Sequence, residues 1–492
     1  MDFLISWTLG DQASSKLPNA PAGISLDVFA SPQAGDVLLE IGSLESSNAG
    51  VWWDPNTLEL CVRRDLLGRY PMAWCLHEGT LFVASDVTLL PEGRLFNWSR
   101  ISKWLENTND AGIDDFFEGT FRILPGATIR WKSPQNYTLT EQRIEFGTCL
   151  DVLELEKMVV EALEITLSEV SNPALMLSDG LDSNLIAAFL RKHGPFVSST
   201  MTSGLDGVCR NDLLHLLAGH LDIPLYFFDI DPFMPFLESS PWTDAPRSGV
   251  TQYPGKAYEK PYADDLQARF SPDVILSGFG ADQFFYRTPH MLVRWGIAHA
   301  DEAAIESGIA ALSKRQTAAL PFLQSTFWRR LRFRERNSWD SPVAFLKSPV
   351  FERHEPYFLL TWSWEAAMRS LRESERSVDC STILPLANER MFEVIRGFSN
   401  ALHFGRINKP VLRRVASKVL PKHIAAAPKS TSFTPLFDFA MRYISQKHIM
   451  ASLGPLDKII KSTAAISHFS EQGAIFRKTR YLVTGEVVLN TI

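Results

Sequence analysis

The sequence predicts an α/β protein in two parts, an antiparallel α+β part over residues 1–150 and a doubly wound parallel sheet within residues 151–492. Three observations predict it. Short alternating apolar segments, broken by closely spaced turn residues, fill the first part. Near Phe146–Asp151 the period lengthens to that of an amphipathic helix over Leu153–Val170. From there strands and helices alternate, as in a parallel sheet covered on both faces.

In the first part, β-favouring residues between turns place strands at Asp36–Ile41, Gly50–Trp53, Leu58–Arg63, Met72–Leu76, Leu81–Ser85 and Thr128–Trp131. One helix is expected around Ile101–Glu106. The second part then reads as strand Ala174–Leu177, helix Asn184–Arg191, strand Val197–Met201 and helix Asn211–His220, followed by strand Leu225–Ile230, helix Tyr262–Ala268 and strand Val274–Leu276. Beyond Ala281 the chain reads as largely helical and rich in Trp, Arg and Phe. A length of 492 residues exceeds one ordinary core and agrees with two domains.

Composition narrows the function. Hydrophobic residues at 45% and charged residues at 21% describe a folding globular chain. A net charge of -7 excludes a general nucleic-acid binder, which needs a positive surface. The dispersed cysteines Cys61, Cys75, Cys149, Cys209 and Cys380 contain no CxxC pair, so reduced thiols are expected and not a zinc site or disulfide framework. Met1–Trp7 has no basic leader, and no apolar run reaches the roughly 18 residues that span a bilayer, so a cytoplasmic protein with no membrane partner is expected. The arginine-rich run Trp328–Arg336 reads as the solvated face of a helix, with a peptide- or RNA-receiving surface as the alternative. Trp362 and Trp364 read as core.

Chemistry concentrates in two loops at strand ends. Leu177-Ser178-Asp179-Gly180-Leu181-Asp182-Ser183 follows a buried strand and opens a helix, where backbone N–H groups and small residues form an anion cradle. It is not a Walker A loop, since that spacing and its lysine are absent. Ser277-Gly278-Phe279-Gly280-Ala281-Asp282-Gln283 repeats the design. Either aspartate alone is readable as a helix N-cap. As a pair beside phosphates they call for a hard cation between them, Mg2+ in the first instance.

These loops resemble the SGGxDS and SGxGxDE motifs of asparagine synthetase-type ATP-pyrophosphatases. Further along, Pro385-Leu386-Ala387-Asn388, Lys409-Pro410-Val411-Leu412-Arg413-Arg414, Leu420-Pro421 and Pro428-Lys429-Ser430-Thr431-Ser432-Phe433 follow the order of that family's PFLD, K-x-LLR, LP and PKxxF landmarks. Residues 151–492 are thus identified as an ATP-pyrophosphatase synthetase domain that forms an acyl-adenylate. The resemblance implies ATP and Mg2+ as cofactors. It assigns ATP and pyrophosphate binding to Leu177, Ser178, Asp179, Gly180, Leu181, Asp182, Ser183, Ser277, Gly278, Gly280 and Lys429, with Asp182 and Asp282 on the metal. Lys429, Asp182 and Asp282 are the implied catalytic residues, Lys429 neutralising pyrophosphate. Arg63-Arg64-Asp65-Leu66-Leu67-Gly68-Arg69-Tyr70-Pro71-Met72, Leu81–Asp86 and Leu124-Pro125-Gly126 are similar to segments of the family's glutaminase-like (Ntn-type) domain, which places that domain at residues 1–150.

Departures from the pattern refine the expected activity. Glutamine-dependent members carry a cysteine at the position of Asp2, so a degenerate glutaminase-like domain is expected, and the amine must come from a substrate. The resemblance then runs to β-lactam synthetases, carbapenam synthetase and lasso-peptide cyclases. Phe279 cannot move a proton, which disfavours the first two and suits an amine that is already partly neutral, such as a peptide α-amine with a pKa of about 8. The expected function is an ATP-dependent macrolactam synthetase, closest to the lasso-peptide cyclases, that adenylates an Asp or Glu side chain of a precursor peptide and joins it to the N-terminal amine. Its partners would be that core peptide, a leader peptidase and a precursor-recognition protein. A β-lactam-type or intermolecular amide ligase acting on a small molecule, and a catalytically silent precursor-peptide scaffold, are the alternatives. Asp179 and Gln283 also depart from the motifs, and three roles are open to Asp179: repelling phosphate, binding a second Mg2+, or facing solvent.

Overall fold

Alternation in the first part produces two five-stranded sheets. The computed structural model describes residues 3–7, 24–28, 38–39, 49–54, 56–85, 87–91, 95–97, 99–100, 113–140, 151–205, 210–233, 256–285, 362–378, 380–396 and 409–427. Strands β1 (Phe3–Trp7), β2 (Ile24–Val28), β6 (Ala73–His77), β7 (Thr80–Ala84) and β8 (Thr120–Arg122) form one sheet, ordered β2-β1-β7-β6-β8. Strands β3 (Leu38–Leu39), β4 (Gly50–Asp54), β5 (Glu59–Arg63), β9 (Thr128–Ser133) and β10 (Asn136–Thr140) form the other, ordered β10-β9-β5-β4-β3. Pairing is antiparallel throughout except between β3 and β4. Side chains of both sheets share one core, in which Trp74 meets Trp131 edge-on at 5.7 Å. Glu78 and Gly79, both at positive φ, make the two-residue turn that matches the twist of β6 and β7.

A capping box opens the second part. Asp151 accepts from the Glu154 N–H and Glu154 accepts in return, fixing the start of α1 (Val152–Ser168). Then follow β11 (Pro173–Met176), α2 (Leu181–His193), β12 (Val197–Thr202), α3 (Asn211–Leu221), β13 (Leu225–Asp229), α4 (Lys256–Phe270), β14 (Val274–Ser277) and α5 (Ala281–Phe285). After them come α6 (Trp362–Val378), β15 (Ser381–Ile383), α7 (Glu389–Arg396), α8 (Pro410–Val419) and α9 (Lys422–Ala425). The five strands are all parallel, in the order β13-β12-β11-β14-β15. One apolar cluster gathers α1, α2, α3, α5, α7, α8 and the first turns of α6 with Leu175 and Leu276, and a second gathers α4 and the end of α6 with Ala174 and Ile275. Alternate residues of the central strands therefore face opposite helical layers, the doubly wound arrangement expected.

The predicted strands and helices recur with shifted ends, and the differences have local causes. Strands β1, β2, β8 and β10 were not expected; β10 is exposed along its whole length, and its only apolar residues are Tyr137 and Leu139. The stretch beyond Ala281 is not helical throughout, because the three-residue β15 adds a fifth parallel strand. Helix α4 begins at Lys256 and runs through Pro261, which forfeits one backbone hydrogen bond without ending the helix. The helix expected at Ile101–Glu106 lies outside the described residues. Among the described residues no helix is long and apolar enough to cross a membrane. Cys61, Cys75 and Cys380 are buried thiols outside any disulfide, as expected, and burial pushes the Cys61 thiol up to about 12.

Where α4 packs on α6, Glu259 accepts a hydrogen bond from the Ser370 hydroxyl at 3.3 Å, and burial pushes its carboxyl up to about 7. A raised carboxyl favours the fold most below its ordinary value of 4.5 and loses that contribution as pH rises through about 7. Glu259→Gln is therefore expected to raise the melting temperature at pH 8 and leave it unchanged near pH 5. Equal shifts at both pH values in thermal melts would rule out a buried titrating acid.

Candidate functional site

β11 and β14 are the strands at which the sheet order reverses, and Met176 pairs with Ser277 in register. The loops leaving their C-terminal ends are thus neighbours, in the crevice where open parallel sheets bind ligands. In the first loop the buried Ser183 hydroxyl is the hub. It accepts from the Ser178 N–H at 3.0 Å and lies 2.8 Å from the Ser178 hydroxyl. The Ser178 hydroxyl in turn accepts from the Gly180 N–H at 3.2 Å. Leu177, buried, anchors the loop to the sheet by donating its N–H to Ser199 O at 2.7 Å. Gly180 is the N-cap of α2 and has no side chain to cover the first N–H groups of that helix. Leu181 begins the helix and packs its side chain on the core. Asp179 is half-buried and within electrostatic reach of Arg210, whose own guanidinium is held mainly by Asp212.

The second loop leans on the first. A Cβ on Gly278 would come within 3.0 Å of Ser183 N and 3.2 Å of the Asp182 Cβ, so glycine is what lets the two loops touch. Gly280 sits at φ +86° with the Ala387 Cβ 2.3 Å from where its own Cβ would be. The Phe279 N–H donates to the Ser277 hydroxyl at 3.2 Å, and the Phe279 ring stacks on Trp364 at 5.9 Å. Phe279 is thereby a packing residue of the loop. Gln283 is half-buried in α5 and donates its N–H to Gly280 O at 3.0 Å.

Asp182 and Asp282 meet across the crevice at one atom. Lys409 Nζ lies 2.5 Å from Asp182 Oδ2 and 2.7 Å from Asp282 Oδ1, with only 5% of the lysine side chain exposed. Lys409 is the N-cap of α8, in the left-handed region at φ 53°, and Pro410 follows as the first helical residue. Two anchors hold α8 here: Arg414 and Lys418 both bind the buried Glu156 of α1. Burial works against the Glu156 charge, but these two cations hold its carboxyl below the usual range. Arg413 donates to Ala425 O at 2.7 Å and Ala427 O at 3.3 Å, tying the chain that leads to Lys429 onto the same helix. Burial lowers the Arg413 guanidinium and the Asp182 charge opposes that shift.

Lys429 itself, Asp2 and the Trp328–Arg336 run lie outside the described residues. Trp364 is core, as expected: 1% exposed, with its indole N–H donating to Leu67 O at 2.6 Å. The segment Arg64–Met72 carries this contact further. Leu66 is buried in the same cluster as α1 and α2, Arg69 binds Glu375 and donates to Thr382 O at 2.5 Å, and the Arg372 guanidinium lies 4.8 Å over the Tyr70 ring. Arg64 holds the segment's shape, donating to Gly68 O at 2.6 Å and Ile123 O at 2.8 Å. Sequence reasoning had placed Lys409, Ala387 and Arg69 in motif landmarks without giving them partners.

A hard cation suits this donor set. Two carboxylate oxygens converge on one point, and Mg2+ is commonly held by one or two carboxylates together with phosphate oxygens and water. Among the described residues no cluster of three or more His, Cys, Asp or Glu side chains forms, so the remaining ligands would come from substrate phosphates and water.

A search of curated protein sequences finds no match. Among solved structures, NMN synthetase from Francisella tularensis is 14% identical and covers 39% of this chain and 99% of its own, at a TM-score of 0.20. That is too low to define a shared fold. The profile of the asparagine synthase family matches residues 154–478, taking in both loops, Lys409 and Lys429, and the chain belongs to this family of ATP-dependent amide-forming ligases.

Proposed function

We propose that this ligase is a macrolactam synthetase: it adenylates an Asp or Glu side-chain carboxylate of a precursor peptide and closes an amide with that peptide's N-terminal amine, as lasso-peptide cyclases do. The convergence of Asp182 and Asp282 on one point between two glycine-bearing loops carries the reading, because it supplies a site for a nucleoside triphosphate's phosphates and their cation. Bound there, Mg2+ would offset phosphate charge as pyrophosphate leaves. The chain's own groups do the rest. The N-terminus of α2 and the Ser178, Gly180 and Ser183 turn orient the phosphates, and Gly278 keeps the second loop in contact. Lys429 is assigned to pyrophosphate.

In the reaction a carboxylate oxygen attacks the α-phosphorus and pyrophosphate departs. The neutral amine then attacks the acyl carbon, the acyl–phosphate C–O bond breaks, AMP leaves, and the proton shed by the amine passes to the departing phosphate or to water. The stacking of Phe279 on Trp364 leaves no acid or base at that position, which favours an amine neutral enough without one. Holding amine and acyl-adenylate in one crevice contributes through orientation, equivalent to about 10⁵–10⁸ M in well-aligned cases. The two antiparallel sheets are assigned to a degenerate glutaminase-like domain at residues 1–150, and residues 151–492 to the synthetase domain. A leader peptidase and a precursor-recognition protein are the proposed partners, in the cytoplasm.

Carboxylate-stimulated ATP–pyrophosphate exchange is expected, and Asp182→Ala or Asp282→Ala should each lower it at least about 10²-fold. Product mass then decides the acceptor. Loss of one water from a single peptide is the expected result; addition of a second molecule would identify an intermolecular or β-lactam-type ligase, and absence of exchange a silent scaffold.

A further inference from the structure

We infer that Lys409 is the resident counter-ion of the Asp182–Asp282 pair and must leave it before a divalent cation seats there, so that metal binding waits for nucleotide. The inference rests on the proposed reading that this pair takes Mg2+. An ammonium 2.5 and 2.7 Å from the two carboxylates occupies the space a bridging cation needs, since Mg2+ sits at about 2.0–2.1 Å from its oxygens. Two cations cannot share it.

The backbone shows that the lysine is placed there. Lys409 is a left-handed residue immediately before a proline, a position where extended backbone is the ordinary outcome. Such a conformation persists only where its surroundings over-determine it. Here the Lys409 carbonyl accepts from the Arg413 N–H at 3.0 Å, and α8 is pinned to Glu156, so the turn that aims the side chain into the crevice is fixed at both ends. The four-carbon stem, by contrast, lets the ammonium swing without moving the helix. Arriving phosphates offer it a second anionic partner. Lysine moving to phosphate while Mg2+ moves to the aspartates is then a charge-balanced exchange. Without nucleotide, either ion excludes the other.

Mn2+ titration of the full chain, followed by electron paramagnetic resonance, tests this without any turnover. In the absence of nucleotide the wild-type protein should bind Mn2+ at this site at least about tenfold more weakly than Lys409→Met, and adding Asp282→Asn to Lys409→Met should abolish the gain. Lys409→Gln, whose shorter side chain stays polar but carries no charge, makes the same comparison should Lys409→Met not fold. Wild-type protein that binds Mn2+ without nucleotide as tightly as these variants overturns the counter-ion role and leaves the metal pair standing. Absence of Asp282-dependent Mn2+ binding in every variant, with or without a non-hydrolysable ATP analogue, overturns the metal reading beneath it.

Discussion

Glu375→Ala should lower the unfolding free energy by about 3–5 kcal/mol, the usual cost of removing one member of a buried ionic network. Glu375 is 1% exposed, and its carboxylate accepts from Arg69, from Arg372 at 3.4 Å and from the Thr382 N–H at 2.6 Å. Truncation strands Arg69 and Arg372 without their shared anion and breaks the bond that holds α6 to β15. The effect is not that of a surface pair, whose worth is about 0–1 kcal/mol. Chemical denaturation of Glu375→Ala measures it. The triple variant Arg69→Met and Arg372→Met with Glu375→Leu should recover much of the loss, because replacing all three charges by apolar groups of similar size removes their desolvation cost. A triple variant no more stable than Glu375→Ala would show that the network's charge is not what the fold depends on.

The second large effect is expected at Gly280. Gly280→Ala introduces two costs together. A non-glycine residue at φ +86° loses roughly 1–3 kcal/mol, and forcing a methyl group into a packed site costs roughly 1–3 kcal/mol more. The site gives little room, since the new Cβ would lie 2.3 Å from the Ala387 Cβ and 3.3 Å from Trp364. Relief comes most easily by moving the second loop, and that loop rests on Ser183 through Gly278. Nucleotide affinity should therefore fall along with stability. Paired denaturation and ATP-binding measurements check both, and Gly280→Ala with unchanged ATP affinity would mean that the loops are not mechanically coupled. Gly219→Ala, at a helical position with no atom near the new Cβ, is the control and should be neutral or stabilising.

Local signals revealed the parts of the site that are contiguous in the chain. Small residues and an acid directly after a buried strand suit a ligand-binding turn far better than they suit packing, so both loops were legible from Leu177–Ser183 and Ser277–Gln283. Partners distant in sequence were not. Lys409 meets Asp182 across 227 residues, and Arg69 meets Glu375 across 306, with no periodicity linking them. Phe279 was legible only as a missing base, because its stacking partner Trp364 belongs to a helix whose position follows from the tertiary fold. Among strands, β9 was visible because its buried and open residues alternate, and β4 and β5, buried on both faces, as short apolar runs between turns. β10 escaped because only Tyr137 and Leu139 on it are apolar and both stay largely exposed, and β15 because three residues are too few to show a period.

The seat of Leu66 and Leu67 bears on how such a protein can change over generations. A segment belonging to the antiparallel sheets supplies a side chain to the interior of the parallel one and a carbonyl to Trp364, which in turn backs Gly280. Deleting those sheets would open a hole behind the two glycine-bearing loops. Their retention needs no activity of their own: selection for the neighbouring site is enough to keep them, while their other surfaces remain free to drift.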